Sequence, residues 1–261
     1  MSESPNEQPG EWPGDAAAVE PAADRPLWGL ALPIQILVLM VTGQAVVVEL
    51  LVWSGAIPPI QSGGPDLDSS PSSSLLGIPV AATYAALLLL VRAVARRRFQ
   101  APVRALPGFA PATWPARWLG LATGVGLYLV NLAFSAVVDV GVEKTEIGQS
   151  IQSMTDLALL VIPVCVLAPV FEEVLFRGLF FHPLEKHGRA VAIWITAVAF
   201  GTIHLLPYWK APLAVLPVFL VGLANGWLRA RSGSIEPCIA SHAAFNLLGL
   251  VSWAIEVGSR S

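Results

Sequence analysis

Long apolar stretches dominate the chain, and each is close to the length of a helix that crosses a lipid bilayer, about 20 residues. Seven such runs alternate with polar segments: 27–57, 75–95, 118–138, 157–184, 190–206, 213–228 and 235–255. Backbone N–H and C=O groups need partners inside lipid, and these runs are too long for barrel strands. The pattern therefore predicts an all-α, polytopic transmembrane bundle of about seven spanning helices.

The remaining segments complete the predicted organisation. Residues 1–25 are rich in proline, alanine, glycine and acids, and this composition predicts a disordered tail. Residues 26–150 are predicted to hold the first three helices, 151–256 a core of the last four, and 257–261 a C-terminal tail. Trp28 and Trp53 stand near the ends of the first run, where we expect anchors at the membrane interface.

The composition indicates that lipid, and not water, surrounds much of the protein surface. The 261 residues are 55% hydrophobic and 13% charged, and the mean hydropathy is +0.66. Soluble domains carry about 25% charged residues. The formal net charge of -3 gives no sign of a nucleic-acid partner.

The basic residues predict the orientation. They collect in the segment after the second run and in the turns after the fourth and sixth runs: Arg92, Arg96, Arg97, Arg98, Arg104, Arg117, Lys186, Arg189, Arg229 and Arg231. The loops on the opposite side hold only Lys144 and Lys210. Because cytoplasmic loops carry the excess of Lys and Arg, we expect a multi-pass protein of the cell (plasma) membrane, with the N-terminus cytoplasmic and the C-terminus outside.

Two adjacent glutamates lie in the fourth run, although one ionisable group at a helix centre costs about 2.5 to 3.5 kcal/mol. Glu173 and Arg177 are four residues apart, share a helix face and are predicted to form a structural pair. Glu172 points about 100° away. It has no charge partner on its own helix, so it is a candidate general base. Pro169 is expected to disturb the helix nearby.

Two other predicted helices carry polar side chains that could lie beside Glu172. Measured from the turn between the fourth and fifth runs, Glu172 and His204 should reach similar depths, and Phe200 should shield the face that carries His204. In the last run, His242 and Asn246 are four apart and share a face. Polar groups from three apolar helices favour one common site over unrelated packing residues.

These residues resemble the motifs of a known family. Glu-Glu-x-x-x-Arg at 172–177, Phe-x-x-x-His at 200–204 and His-x-x-x-Asn at 242–246 occur in the order found in the CPBP intramembrane peptidases. That family includes CAAX prenyl endopeptidases of the Rce1 type, and bacteriocin-processing and immunity proteins. The resemblance covers about residues 155–255 and leaves the first three helices outside.

The resemblance implies a role for each motif residue. Glu172 would activate a water molecule, and His204 would help to hold that water or a metal ion. His242 and Asn246 would stabilise the oxyanion of the tetrahedral intermediate. Glu173 and Arg177 would hold the site together.

A metal cofactor is left open at this point. Glu172, His204 and His242 could form a His2Glu zinc set, and members of the family are usually classed as metallopeptidases. The helical HExxH motif is absent. Water activated by glutamate without a metal is the other interpretation.

The resemblance implies an intramembrane (metallo)endopeptidase, similar to CAAX prenyl endopeptidases. It would cleave a peptide or protein substrate in the bilayer, either membrane-associated, lipidated or bacteriocin-like. Two alternatives are a non-catalytic immunity or scaffold protein on the same fold, and a proton-coupled transporter. The complete motif set argues against the first. The lack of an evident inverted repeat, together with the His242 and Asn246 pair, argues against the second.

Overall fold

The computed structural model describes residues 27–55, 73–141, 151 and 153–260. The predicted disordered tail, 1–25, lies outside these residues. So do residues 56–72 and most of the polar segment between the third and fourth apolar runs.

Seven long helices occupy the described chain, and each coincides with one predicted apolar run. They are α1 (Ala31–Trp53), α2 (Ser73–Arg98), α3 (Trp114–Val137), α4 (Met154–Glu185), α5 (Arg189–His204), α6 (Val215–Ser232) and α7 (Glu236–Arg260). Single 3-10 turns lie at Val103–Ala105 and Pro212–Ala214. The described residues contain no strand, so the prediction of an all-α helical bundle is confirmed.

Five segments among the described residues are long and apolar enough to cross a membrane. They are Ala31–Trp53, Trp114–Val137, Met154–Glu185, Pro212–Ser232 and Glu236–Ser259. The apolar α5 has 16 residues and spans about 24 Å at 1.5 Å per residue. Large apolar side chains such as Val137 and Ile255 are exposed around the bundle, as expected for a surface in contact with lipid.

Helix α4 is the centre of the bundle. In its most apolar 18-residue window 56% of the residues are buried, against 11% in α1 and in α3. It is also the irregular helix, because Pro163–Leu167 and Val174–Phe180 are π-helical. The two adjacent glutamates lie in the short α-helical piece Ala168–Glu173 between these stretches. Such π-helical segments are frequent at functional sites.

Pro169 explains how α4 and α7 fit together. The N–H of Ala168 bonds to the carbonyl of Pro163, five residues earlier. In that register the next acceptor is the carbonyl of Val164, and its donor would be residue 169, which as proline has no N–H. The side-chain amide of Asn246 donates to the Val164 carbonyl instead, at 2.8 Å. The expected disturbance at Pro169 therefore takes the form of a π-helical segment that is satisfied by α7.

Helices α3 and α7 are in backbone contact through two glycines one turn apart. A Cβ built on Gly120 would lie 2.2 Å from the carbonyl oxygen of Pro237, and one on Gly124 would lie 2.1 Å from that of Ser241. Small residues allow this approach between membrane helices. Because Ser241 precedes His242, α3 holds the part of α7 that carries a predicted site residue.

The prediction for Trp28 is wrong. Its indole N–H donates to the carbonyl of Leu179 at 2.8 Å, and the residue is 3% exposed. An internal acceptor allows the ring to be buried, so Trp28 attaches the start of α1 to α4. Trp53, at the other end of α1, is 87% exposed, as an interface anchor would be.

Replacing Gly124 by valine should separate α3 from α7. The added side chain meets backbone atoms, which cannot move aside as a flexible side chain can, and overpacking of this kind costs about 1 to 3 kcal/mol. We expect a lower melting temperature of the purified protein in detergent. Gly126→Val is the control, since nothing lies within 4 Å of a Cβ at Gly126. Equal melting temperatures for the two variants would contradict the packing described here.

Candidate active site

Glu172, His204 and His242 come together from α4, α5 and α7. The Oε2 atom of Glu172 lies 3.7 Å from Nε2 of His204 and 3.9 Å from Nε2 of His242. Glu172 is 8% exposed, so the group lies inside the bundle. The predicted match in depth between Glu172 and His204 is thus present in the structure.

A backbone carbonyl of α5 determines which ring nitrogen of His204 carries the hydrogen. Nδ1 of His204 lies 2.7 Å from the carbonyl oxygen of Phe200. Because a carbonyl only accepts, Nδ1 carries the hydrogen, and in the neutral ring the lone pair on Nε2 faces Glu172. The fully buried Phe200 ring packs 4.5 Å from the imidazole, which is the shielding expected from the sequence.

Glu173 and Arg177 form the predicted pair, and neither side chain has any exposed surface. Nη1 of Arg177 donates to Glu173 at 3.2 Å, and Nη2 donates to the carbonyl of Gly222 on α6 at 2.7 Å. The guanidinium also lies 4.7 Å from the centre of the Phe200 ring. The pair therefore joins α4 to α5 and α6.

Glu173 also orients His242. Nδ1 of His242 lies 3.0 Å from Oε1 of Glu173. A carboxylate accepts, so Nδ1 carries the hydrogen and the neutral ring presents the lone pair of Nε2 to Glu172. A carboxylate that fixes the tautomer of a site histidine in this way is common around catalytic centres. Glu173 thus orients a histidine of the site and also pairs with Arg177 in the core of the bundle.

Asn225 is a site residue that the sequence analysis missed. It is fully buried on α6, and its amide donates to Oε1 of Glu173 at 2.9 Å and to the carbonyl of Cys238 at 3.3 Å. An isolated amide in the apolar stretch around residue 225 is a signal that could have identified it, because buried amides need partners.

Asn246 lies one turn after His242 on α7, and one of its amide hydrogens is engaged by the Val164 carbonyl. A side-chain amide has two N–H groups, so one donor remains beyond that contact. The expected role of Asn246 as an oxyanion donor stays a prediction.

Two tyrosines near Glu172 were also missed. The hydroxyl of Tyr84 on α2 donates to Oε1 of Glu172 at 3.3 Å. The half-buried Tyr208 lies in the turn after α5, where burial raises the pKa of its hydroxyl and the negative charge of Glu172 raises it further. A tyrosine in or beside an apolar run also suits the membrane interface, so the sequence carried no specific signal for either residue.

The donor types at Glu172, His204 and His242 suit zinc, but the spacing is wide. Neighbouring ligand atoms in a tetrahedral zinc site lie about 3.4 Å apart, given bonds of about 2.1 Å, whereas the two histidine nitrogens lie 3.7 and 3.9 Å from the glutamate oxygen. No group of three or more His, Cys, Asp or Glu side chains within the described ranges is arranged to hold a metal. Zinc binding stays a prediction.

The chemistry available to the site follows from its acceptors. With both histidines neutral, one carboxylate oxygen and two imidazole lone pairs face one another. Three acceptors of this kind do not satisfy one another and instead bind a donor such as the O–H groups of water, or a cation. A water held there would lie beside a carboxylate able to take its proton.

The fold and the site define a multi-pass membrane protein with a buried glutamate and histidine centre. Residues 154–248 match the model of the family described as "Type II CAAX prenyl endopeptidase Rce1-like". All seven predicted site residues, from Glu172 to Asn246, fall inside the matched segment. That segment is similar to the Rce1-like family, and this similarity confirms the resemblance predicted from the motifs.

One curated relative is the "Uncharacterized 24.3 kDa protein" of Escherichia coli, which is 26% identical over 129 residues. The match covers 49% of this chain and 58% of the relative, so the chain spans little more than half the length of that protein. No solved structure matches this chain.

Replacing Asn225 by leucine should weaken the centre of the bundle. The change removes a donor from a buried carboxylate, and a buried polar group left without its partner costs about 1 to 3 kcal/mol, more if it is charged. We expect a clearly lower melting temperature in detergent. Asn131→Leu, on the largely lipid-facing α3, is the control and should change it little. A variant of Asn225 as stable as the wild type would contradict the importance of this bond.

Proposed function

We propose that this protein is an intramembrane endopeptidase that hydrolyses a peptide bond of a membrane-associated substrate. The observation that carries the proposal is the approach of Oε2 of Glu172 to Nε2 of both His204 and His242 inside the helical bundle. It lies within the segment that matches the CAAX prenyl endopeptidase family. A general base beside groups that can hold a water is what peptide hydrolysis requires.

In the first step, the water lies among Glu172, His204 and His242. Oε2 of Glu172 takes one proton from the water while the water oxygen attacks the carbonyl carbon of the scissile peptide bond. The carbonyl oxygen becomes the oxyanion of a tetrahedral intermediate. His204 accepts a hydrogen bond from the water through Nε2, which keeps the attacking oxygen in place.

The oxyanion is stabilised by donors from α7. Asn246 offers the amide hydrogen that Val164 does not use. His242, which Glu173 holds at Nδ1, can donate to the oxyanion through Nε2 when the ring carries a second N–H. A donor aimed at a developing oxyanion is worth about 3 to 4 kcal/mol. When the intermediate collapses, the proton held by Glu172 passes to the leaving amine nitrogen.

The proposed substrates are peptides or proteins that present a cleavage site within the bilayer, including lipidated ones. The buried position of Glu172 requires that the scissile bond enter the protein between its helices. The clustered arginines support a plasma-membrane protein with a cytoplasmic N-terminus and an outer C-terminus.

Zinc is tested separately by elemental analysis of the purified protein. If Glu172, His204 and His242 hold zinc, the wild type should contain about one ion per chain, and His204→Ala should lose it. A zinc-free protein that still cleaves its substrate would show that glutamate activates the water without a metal.

Glu172→Gln should abolish cleavage while the protein still folds and inserts. The amide retains the size of the side chain but cannot accept the proton of the water, and loss of general base catalysis costs about 100- to 10,000-fold in rate. Quantitative proteomics of membranes that contain wild type or variant should reveal cleavage products that disappear with Glu172→Gln. Glu256→Gln, an exposed change on α7, is the control.

Different outcomes separate the competing functions. If the products persist with Glu172→Gln, the assignment of the base is wrong. If a cellular phenotype survives the combined Glu172→Gln and His204→Ala change, a scaffold or immunity role is favoured. Ion-coupled flux in proteoliposomes without any cleavage would favour a transporter.

A further inference from the structure

The two oxygens of the Glu172 carboxylate have different partners. Oε2 faces Nε2 of His204 and Nε2 of His242, whereas Oε1 accepts a hydrogen bond from the hydroxyl of Tyr84 at 3.3 Å. Tyr84 is 8% exposed, so this bond lies inside the protein with the rest of the site. The carboxylate is thus held from one side and open to the histidines on the other.

The Tyr84 hydroxyl is itself held in place. Its ring stacks on Phe171, with centroids 5.1 Å apart and planes inclined by 22°. A phenol has one hydrogen, and in Tyr84 that hydrogen goes to the carboxylate of Glu172. The stacked ring and this bond together tie α2 to α4.

We infer that Tyr84 is a positioning residue for Glu172, which fixes Oε1 so that Oε2 stays directed at the histidines and the attacking water. The inference rests on the proposed function. It assigns part of the site to α2, which lies outside the segment 154–248 that matches the family. Without the hydroxyl, the carboxylate can rotate about its terminal bond and present either oxygen in a range of directions, because that torsion is broad.

The test compares wild type, Tyr84→Phe and Tyr128→Phe. Tyr84→Phe removes one hydroxyl and keeps the ring that packs on Phe171. Tyr128 is a matched control, since it is also 8% exposed and its hydroxyl bonds to Ser252, between α3 and α7. All three proteins are checked for equal melting temperature and monodisperse elution before use.

The first readout is infrared difference spectroscopy, which needs no catalysis. The carboxyl stretching band of Glu172 is identified by its loss in Glu172→Gln. We expect this band to shift in Tyr84→Phe and to stay in place in Tyr128→Phe, because only the first change removes a hydrogen bond from Oε1. An unshifted band in Tyr84→Phe would overturn the inference.

The second readout is cleavage of a quenched fluorescent peptide that ends in a farnesylated CAAX sequence. A misdirected base lowers kcat, and small misplacements near the reacting atoms cost about 100-fold. We expect kcat to fall about 10- to 100-fold in Tyr84→Phe, with KM within about twofold of the wild type. A normal kcat, or a rise in KM alone, would contradict a positioning role.

The experiments distinguish failure of the proposed endopeptidase function from failure of the proposed role of Tyr84. If the wild type does not cleave this peptide, and Glu172→Gln removes no product from membranes, the endopeptidase function fails and the catalytic role of Tyr84 fails with it. A shifted Glu172 band would then still report the hydrogen bond itself. If the wild type cleaves the peptide and Tyr84→Phe does so equally well, only the role of Tyr84 is overturned.

Discussion

The buried charge of Glu173 is the constraint on which the rest of the structure depends. A carboxylate inside a membrane bundle is tolerated only when other groups supply charge and hydrogen bonds. Here those groups are Arg177 from the same helix, Asn225 from α6 and His242 from α7. Satisfying one carboxylate therefore fixes the rotation of three helices about their axes and sets the direction of a histidine ring.

Neighbouring positions on one helix give the two glutamates different tasks. The offset of about 100° between successive residues places Glu173 in the centre of that network and directs Glu172 toward α2, α5 and α7. Glu173 receives hydrogen bonds from Arg177, Asn225 and His242, all at Oε1. Glu172 keeps one oxygen facing two histidine nitrogens across gaps wider than a hydrogen bond, and it is therefore the carboxylate that we propose as the general base.

The first three helices contact α4 and α7 and help to hold the site residues of these helices in place. Gly124 on α3 brings that helix against the backbone of Ser241, beside His242. Trp28 is tied to α4 at Leu179, and Tyr84 reaches Glu172 itself. The π-helical stretches of α4 contribute to this arrangement, since the carbonyl that Pro169 leaves without a donor receives the amide of Asn246. The segment that matches the family therefore works within a frame built by the rest of the chain.

The sequence by itself determined the seven helices, the Glu173–Arg177 pair and the set of three motifs that meet in the site. These depend on run length and on i, i+4 spacing within one helix, which are local properties. Only the tertiary structure decided that Tyr84 and Asn225 belong to the site and that Trp28 is buried. In lipid both faces of a helix are apolar, so the pattern of apolar residues does not reveal which face turns inward. That choice is made by contacts between helices far apart in sequence.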